Sequence, residues 1–159
     1  MKKTRILALT LALAMVMAMT GAFALDLTNE SPEGSMEISY TIPETYSVVI
    51  PESVNLTAET PSATGTVSAS DVRLAANRTL KVTMDSINNF YLKNGESAVE
   101  YTVSDQTGAI SDGGIVLSVQ AGTTSGSNSL TFATTAEKIK AATLSGNHID
   151  TLTFTITVQ

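Results

Sequence analysis

The chain has 159 residues, with 15 acidic and 9 basic side chains, one His, no Cys and no Trp. Without Cys there is no disulfide framework, thiolate nucleophile or Cys-based zinc or iron–sulfur site, and one His cannot build a multi-histidine metal site. A net charge of −6 argues against nucleic acid and anionic membrane surfaces as partners, since both repel an acidic protein.

Lys2, Lys3 and Arg5 form a positive start, residues 6–19 are an uncharged, almost wholly apolar run of 14 residues, and Ala22-Phe23-Ala24 follows. That is the order of a secretory signal with a small-x-small cleavage site. The run is shorter than the about 20 residues that a bilayer span needs. Residues 1–24 therefore read as a signal peptide cleaved after Ala24, and no membrane span is expected after cleavage. The expected location is secreted or extracellular, in association with the cell surface. Cleavage leaves 135 residues with 6 basic and 15 acidic side chains, a net charge of −9. That length suits one domain. Ser and Thr make up 38 of those residues, a composition of strands and turns.

Residues 25–35 are acidic, contain Pro32 and Gly34 and offer little to bury, so they read as a flexible N-terminal extension. The domain is expected over 36–159. In residues 36–42, Met36, Ile38, Tyr40 and Ile42 alternate with Glu37, Ser39 and Thr41, the period of a half-buried strand. Pro43 ends it, and Pro51 ends a second strand at 46–50, with 54–56 as a short continuation. Further strands are expected at 65–74, 79–84, 89–92, 99–104, 115–120, 129–133 and 150–158, separated by turn signals such as Asn94-Gly95 and Asp112-Gly113-Gly114. Strands recurring about every 8–12 residues mark a sandwich or barrel. The last strand alternates most clearly, with Leu152, Phe154, Ile156 and Val158 on one face and four threonines on the other. Between the last two strands, Thr134-Thr135-Ala136-Glu137 fits a capping box with Thr134 as N-cap. It opens a short helix whose Ile139 and Ala142 would face the sheets.

Sites of chemistry are sparse, and the expectation is of no catalytic residue, cofactor or metal. His148 and Asp150 could share a strand face and form a base pair, but no nucleophile accompanies them. Glu96/Glu100 and Asp105/Asp112 are candidate carboxylate pairs for glycoside hydrolysis, without a Trp platform beside them. Residues 105–114 hold acidic and glycine residues that could offer oxygen ligands to calcium, but they do not match an EF-hand spacing, and turn chemistry explains them. The candidate site is of another kind: Met36, Ile38, Tyr40 and Ile42 as a strand-pairing edge.

The stretches 46–56 (YSVVIPESVNL), 65–74 (GTVSASDVRL) and 150–158 (DTLTFTITV) resemble small secreted, adhesin-like surface proteins of Gram-positive gut bacteria. The last stretch is also similar to terminal strands of WxL-type surface domains and of spore-coat-U-type pilin subunits. The resemblance implies an all-β, immunoglobulin-like antiparallel sandwich of about 7–9 strands with one short helix before the last. It also implies a non-enzymatic structural or interaction role. The WxL motif itself is absent, since there is no Trp. The expected partner is an extracellular protein or glycan, or a second copy through self-association. Two alternative roles follow: a carbohydrate-binding module, which needs exposed tyrosines, and a pilin-like subunit that assembles by strand exchange. If the leader reading holds, mass spectrometry of the exported chain finds Leu25 as the first residue. A first residue of Met1 would contradict it.

Overall fold

The computed structural model describes Thr28 and residues 33–159. The expected signal peptide and most of the expected acidic extension lie outside the described residues. The chain divides into two units, Met1–Tyr40 and Thr41–Gln159. In the first, the described residues carry no helix or strand.

The second unit is mostly β. Its strands are β1 (Thr45–Val49), β2 (Ser62–Arg73), β3 (Thr79–Ser86), β4 (Tyr91–Asn94), β5 (Ser97–Glu100), β6 (Thr102–Asp105), β7 (Gly108–Ile110), β8 (Gly114–Gln120), β9 (Gly126–Ala133) and β10 (Leu152–Val158), with helix α1 (Ala136–Lys140) before β10. They form a five-stranded sheet in the order β1-β2-β9-β6-β7, a three-stranded sheet β10-β3-β8 and a two-stranded hairpin β4-β5. Every pairing is antiparallel.

Period-two patterning builds one core from the two larger sheets. Val67, Ala69, Val103, Leu130 and Phe132 come from the five-stranded sheet, and Leu80, Val82, Met84, Leu117 and Val119 from the three-stranded one. Where the period slips, a bulge is the reason. In β8, Val116 and Leu117 are both buried, at the point where the register against β3 shifts between Val82 and Thr83. Two residues then oppose one, so consecutive side chains can share a face. In β2 the register against β1 shifts near Asp71. Asp71 takes a φ of +52°, a left-handed conformation that Asp tolerates better than most residues.

Several expectations are corrected: the strands number ten and not about 7–9, and residues 54–56 form no strand. Residues 36–42 form no strand, and their alternating apolar side chains are exposed: Met36 80%, Ile38 85%, Tyr40 87% and Ile42 60%. A strand needs a ladder partner, and this segment has none among the described residues. The expected strand at 99–104 is two strands, because the chain changes partner at Tyr101: β5 pairs with β4, a register that Tyr101 N–H extends to Phe90 O at 2.9 Å, and β6 pairs with β9. The helix starts one residue late: Thr135 is the N-cap and accepts from Lys138 N at 3.2 Å. Glu137 therefore falls at the second helical position and no capping box forms. The Asn94-Gly95 hairpin is present, with Gly95 at φ +57° in a two-residue loop between Asn94 and Ser97, where the tight turn requires glycine.

Leu130 is fully buried at the centre of this core. Leu130→Ala should cost about 2–5 kcal/mol through lost burial and the cavity left behind. Urea titration followed by circular dichroism checks this; a loss well under 1 kcal/mol would contradict the packing described.

Candidate functional site: an open sheet edge beside a cleft

The final strand, β10, is positioned by Asp150, just before it. The Asp150 carboxylate accepts from Ser86 Oγ at 2.7 Å, Tyr101 Oη at 2.7 Å, Asn88 N at 3.1 Å and Thr151 N at 2.7 Å. Ser86 Oγ in turn accepts from Phe90 N at 2.6 Å. The Phe90 and Tyr101 rings meet edge to face with centroids 5.7 Å apart. Phe90 has a φ of +62°, unusual for a bulky residue; the Ser86 bond, the Tyr101 bond and the ring contact together hold it there. Burial, reinforced by the Asp150 carboxylate, raises the Tyr101 hydroxyl above its ordinary value and keeps it protonated.

From this anchor, β10 runs along β3 in unbroken register, Leu152 opposite Ser86 through to Val158 opposite Leu80. Gln159 and Thr79 exchange both backbone bonds, at 2.8 and 3.1 Å, and Ile87 N donates to Thr151 O at 3.1 Å. Antiparallel ladders alternate bonded and non-bonded pairs. The threonines 151, 153, 155 and 157 therefore turn their backbone groups toward β3. Leu152, Phe154, Ile156 and Val158 turn theirs outward. Of these outward groups, Val158 O is taken by Arg78 Nη2 at 2.8 Å; among the described residues no other backbone bond reaches this edge.

Edges left open in natural sheets are normally blunted by shortness, bulges, Pro or charge. The other outer edges here follow that rule. β1 lies between Pro43 and Pro51 and carries a register shift. β7 has three residues. β8 has its bulge. β10 is seven residues long and has no bulge, Pro or charge. Its apolar face is incompletely covered, with Ile156 40% exposed. A cleft of about 870 Å³ adjoins it, lined by Val54, Leu56, Leu92, Phe132, Leu152 and Phe154 among others.

The residues singled out from sequence are placed as follows. His148 does not meet Asp150. Its Nε2 lies 2.9 Å from Ser97 Oγ and its Nδ1 3.1 Å from Gly146 O. Ser97 Oγ already accepts from Thr143 N at 3.1 Å and Leu144 N at 3.4 Å. Its hydroxyl proton is thus directed to His148 Nε2, and Nδ1–H donates to Gly146 O. Ser97 is 2% exposed, and this serine–histidine contact clasps the 143–148 loop to the hairpin, with His148 on the wall of the cleft. Glu100 pairs with Lys138 at 2.7 Å, while Glu96 is exposed in the hairpin turn. Asp105 Oδ1 accepts from Thr107 Oγ1, Thr107 N and Gly108 N, and its Oδ2 from Asn128 Nδ2. These bonds, the Thr107 hydroxyl foremost, hold the carboxyl down at about 2. Asp112 caps Ser86 N at 2.6 Å. Asp105 thus performs turn chemistry, while Asp112 ties its loop to the end of β3. Among the described residues, no three His, Asp or Glu side chains are grouped to hold a metal, and no helix is long and apolar enough to cross a membrane. Tyr101 is buried, and the exposed Tyr40, Tyr46 and Tyr91 lie on three separate segments.

Comparison with protein-family models, curated proteins and solved structures gives no match. The site is therefore read from its geometry. Sequence reasoning found the β10 alternation but missed the Ser86–Tyr101–Asp150 cluster. Ser86 and Tyr101 lie 64 and 49 positions from Asp150, and nothing local marks them.

Tyr101→Phe removes one hydrogen bond to a carboxylate and should cost about 1.5–3 kcal/mol at neutral pH. The folded-state value of the phenol lies above its unfolded value of 10.0. The bond therefore stabilises fully below that pH and is lost as pH rises beyond it. Thermal melts at neutral pH and above pH 10 should show the gap between wild type and Tyr101→Phe narrowing with alkalinity. A gap that stays constant would contradict the assignment.

Proposed function

We propose that the chain is an exported, cell-surface-associated, non-enzymatic interaction domain, adhesin-like in role, that binds by accepting an added strand along β10. The leader-like residues 1–24 support export. The observation that carries the binding mode is the open edge of β10: seven residues, bulge-free, uncharged and beside a cleft of mixed polar and apolar lining. Strand addition draws affinity from main-chain hydrogen bonds and specificity from pockets for alternate side chains. β10 offers outward N–H and C=O groups for the first, and the cleft offers room for the second. The sandwich-like arrangement of the two larger sheets fits an immunoglobulin-like surface domain, and the resemblance of residues 46–56, 65–74 and 150–158 to Gram-positive surface proteins supports the same setting. Ser86, Tyr101, Asp150, Ser97 and His148 act as supports for the edge. A carbohydrate platform gains nothing from exposed tyrosines on three separate segments.

The test uses a substitution that spares the fold. The Ile156 N–H points away from β3, so Ile156→Pro blocks the edge while leaving the β3 ladder in place. A photo-crosslinker placed at exposed Thr155 of the mature chain should capture an extracellular partner on producing cells. Adding Ile156→Pro should weaken that binding about tenfold or more, about 1.4 kcal/mol. Capture equally strong with the edge blocked overturns the reading.

A further inference from the structure

We infer that the strand added to β10 is residues 36–42 of a second copy of this chain. The inference rests on the reading of β10 as a binding edge and names its occupant. The segment and the edge match in length and in pattern. Residues 36–42 read Met-Glu-Ile-Ser-Tyr-Thr-Ile and β10 reads Leu-Thr-Phe-Thr-Ile-Thr-Val. Each has seven residues, with large apolar side chains at the first, third, fifth and seventh positions. In β10 those side chains face inward and the backbone groups of the same residues face out. In residues 36–42 all four apolar side chains are exposed, and no backbone bond to another described residue holds them.

Each half therefore has what the other lacks. β10 has an apolar face incompletely covered at Ile156 and outward N–H and C=O groups that no described backbone group meets from Leu152 to Ile156, Val158 O being taken by Arg78. The segment has four solvent-exposed apolar side chains, no Pro, and a backbone without a partner among the described residues. Laid along β10, the segment extends the ladder and directs Met36, Ile38, Tyr40 and Ile42 to the side of Leu152, Phe154, Ile156 and Val158, the first two of which line the cleft. Glu37, Ser39 and Thr41 then join the threonine face in water. β10 itself is uncharged, so Glu37 meets no acidic side chain on the strand it pairs with.

The contact is heterologous: the patch that gives the strand differs from the patch that receives it. Such contacts either close into a ring or continue into a chain of subunits. They also permit complementation between two defective copies. Ile38→Asp with Tyr40→Asp makes a copy that cannot give its strand but keeps an intact β10. Both substitutions lie before β1, outside the folded sheets, so they cannot unfold the domain. Ile156→Pro makes a copy that cannot receive a strand but keeps an intact segment.

The experiment is light scattering after size exclusion, across a concentration series, on the mature chain, residues 25–159. Wild type should associate to dimers or longer assemblies. Each variant alone should be a monomer, with a melting curve showing that it is folded. An equimolar mixture of the two should form a one-to-one heterodimer and stop there, because only one working interface remains. A monomeric wild type overturns the inference, as does association that survives the Ile38→Asp/Tyr40→Asp change, which would signal β10 pairing with another β10. Failure of the mixture to form heterodimers overturns it equally. Should the Ile156→Pro copy prove unfolded, a synthetic peptide of residues 33–44 added to the Ile38→Asp/Tyr40→Asp copy replaces it. Saturable binding of that peptide supports the inference, and its absence overturns it. If self-association fails while edge-dependent capture of another surface molecule from Thr155 persists, only the identity of the occupant falls. If neither depends on the β10 edge, the underlying function falls with it.

Discussion

The structure turns on the Asp150 carboxylate. It accepts four hydrogen bonds, two from hydroxyls and two from backbone N–H groups. They close a circuit: Asp150 to Ser86, Ser86 to Phe90, Phe90 to Tyr101 through backbone and ring, and Tyr101 back to Asp150. The end of β3, the residues just after β5 and the start of β10 all pass through it. A carboxylate in a partly buried place is costly unless its lone pairs are satisfied, and here the supply of donors is complete. The same bonds hold Phe90 in a backbone conformation that a bulky side chain avoids. A chain without disulfides has fixed its sheet-to-sheet connection with a polar cluster.

That anchoring explains why the last strand is both well ordered and unprotected. From Asp150 onward, β10 follows β3 without a slip, because β-branched threonine on one face and large apolar side chains on the other both favour the pleated backbone. The regularity that makes it a good strand also makes it a good template. A bulge, a Pro or an inward charge would have blunted the edge, and each device occurs or is replaced by shortness at the other outer edges. For a chain whose residues 25–159 carry a net charge of −9, repulsion between copies discourages indiscriminate sticking. An uncharged seven-residue edge is then the place where association can overcome that repulsion.

How far the sequence foretold this varies by residue. The β10 alternation, the strands at 79–84 and 115–120 and the Gly95 turn were legible, because local period and turn chemistry decide them. The capping box was off by one residue, since Thr134 and Thr135 are equally good caps and Thr134 Oγ1 instead donates to Glu100 O at 2.6 Å. The strand at 99–104 looks continuous in the sequence; what divides it is a change of partner at Tyr101, from β4 to β9, which local period cannot show. The His148–Asp150 pairing suggested by their spacing lost to longer-range competitors: Ser97 for the imidazole, and Ser86 and Tyr101 for the carboxylate. Residues 36–42 carry as clean a period-two pattern as β10, yet remain exposed. Period two states that a segment can pair, and only the presence of an open edge decides whether it does.

Energetic scale sharpens that last distinction. Ordering an extended segment costs about 1–2 kcal/mol per residue, and full burial of a large apolar side chain returns about 1.5–3 kcal/mol. For seven residues carrying four such side chains, the two contributions are of similar size. Pairing then depends on the main-chain hydrogen bonds and on whether the receiving edge is already rigid. β10 meets that condition, because β3 and the Asp150 cluster have ordered it before any strand arrives, and the whole ordering cost falls on the incoming segment. Such a balance makes the association reversible for a single contact and sensitive to the loss of any one of the four apolar side chains. Assembly through successive contacts would be far more persistent than any one of them, since release of an internal copy requires two edges to open at once.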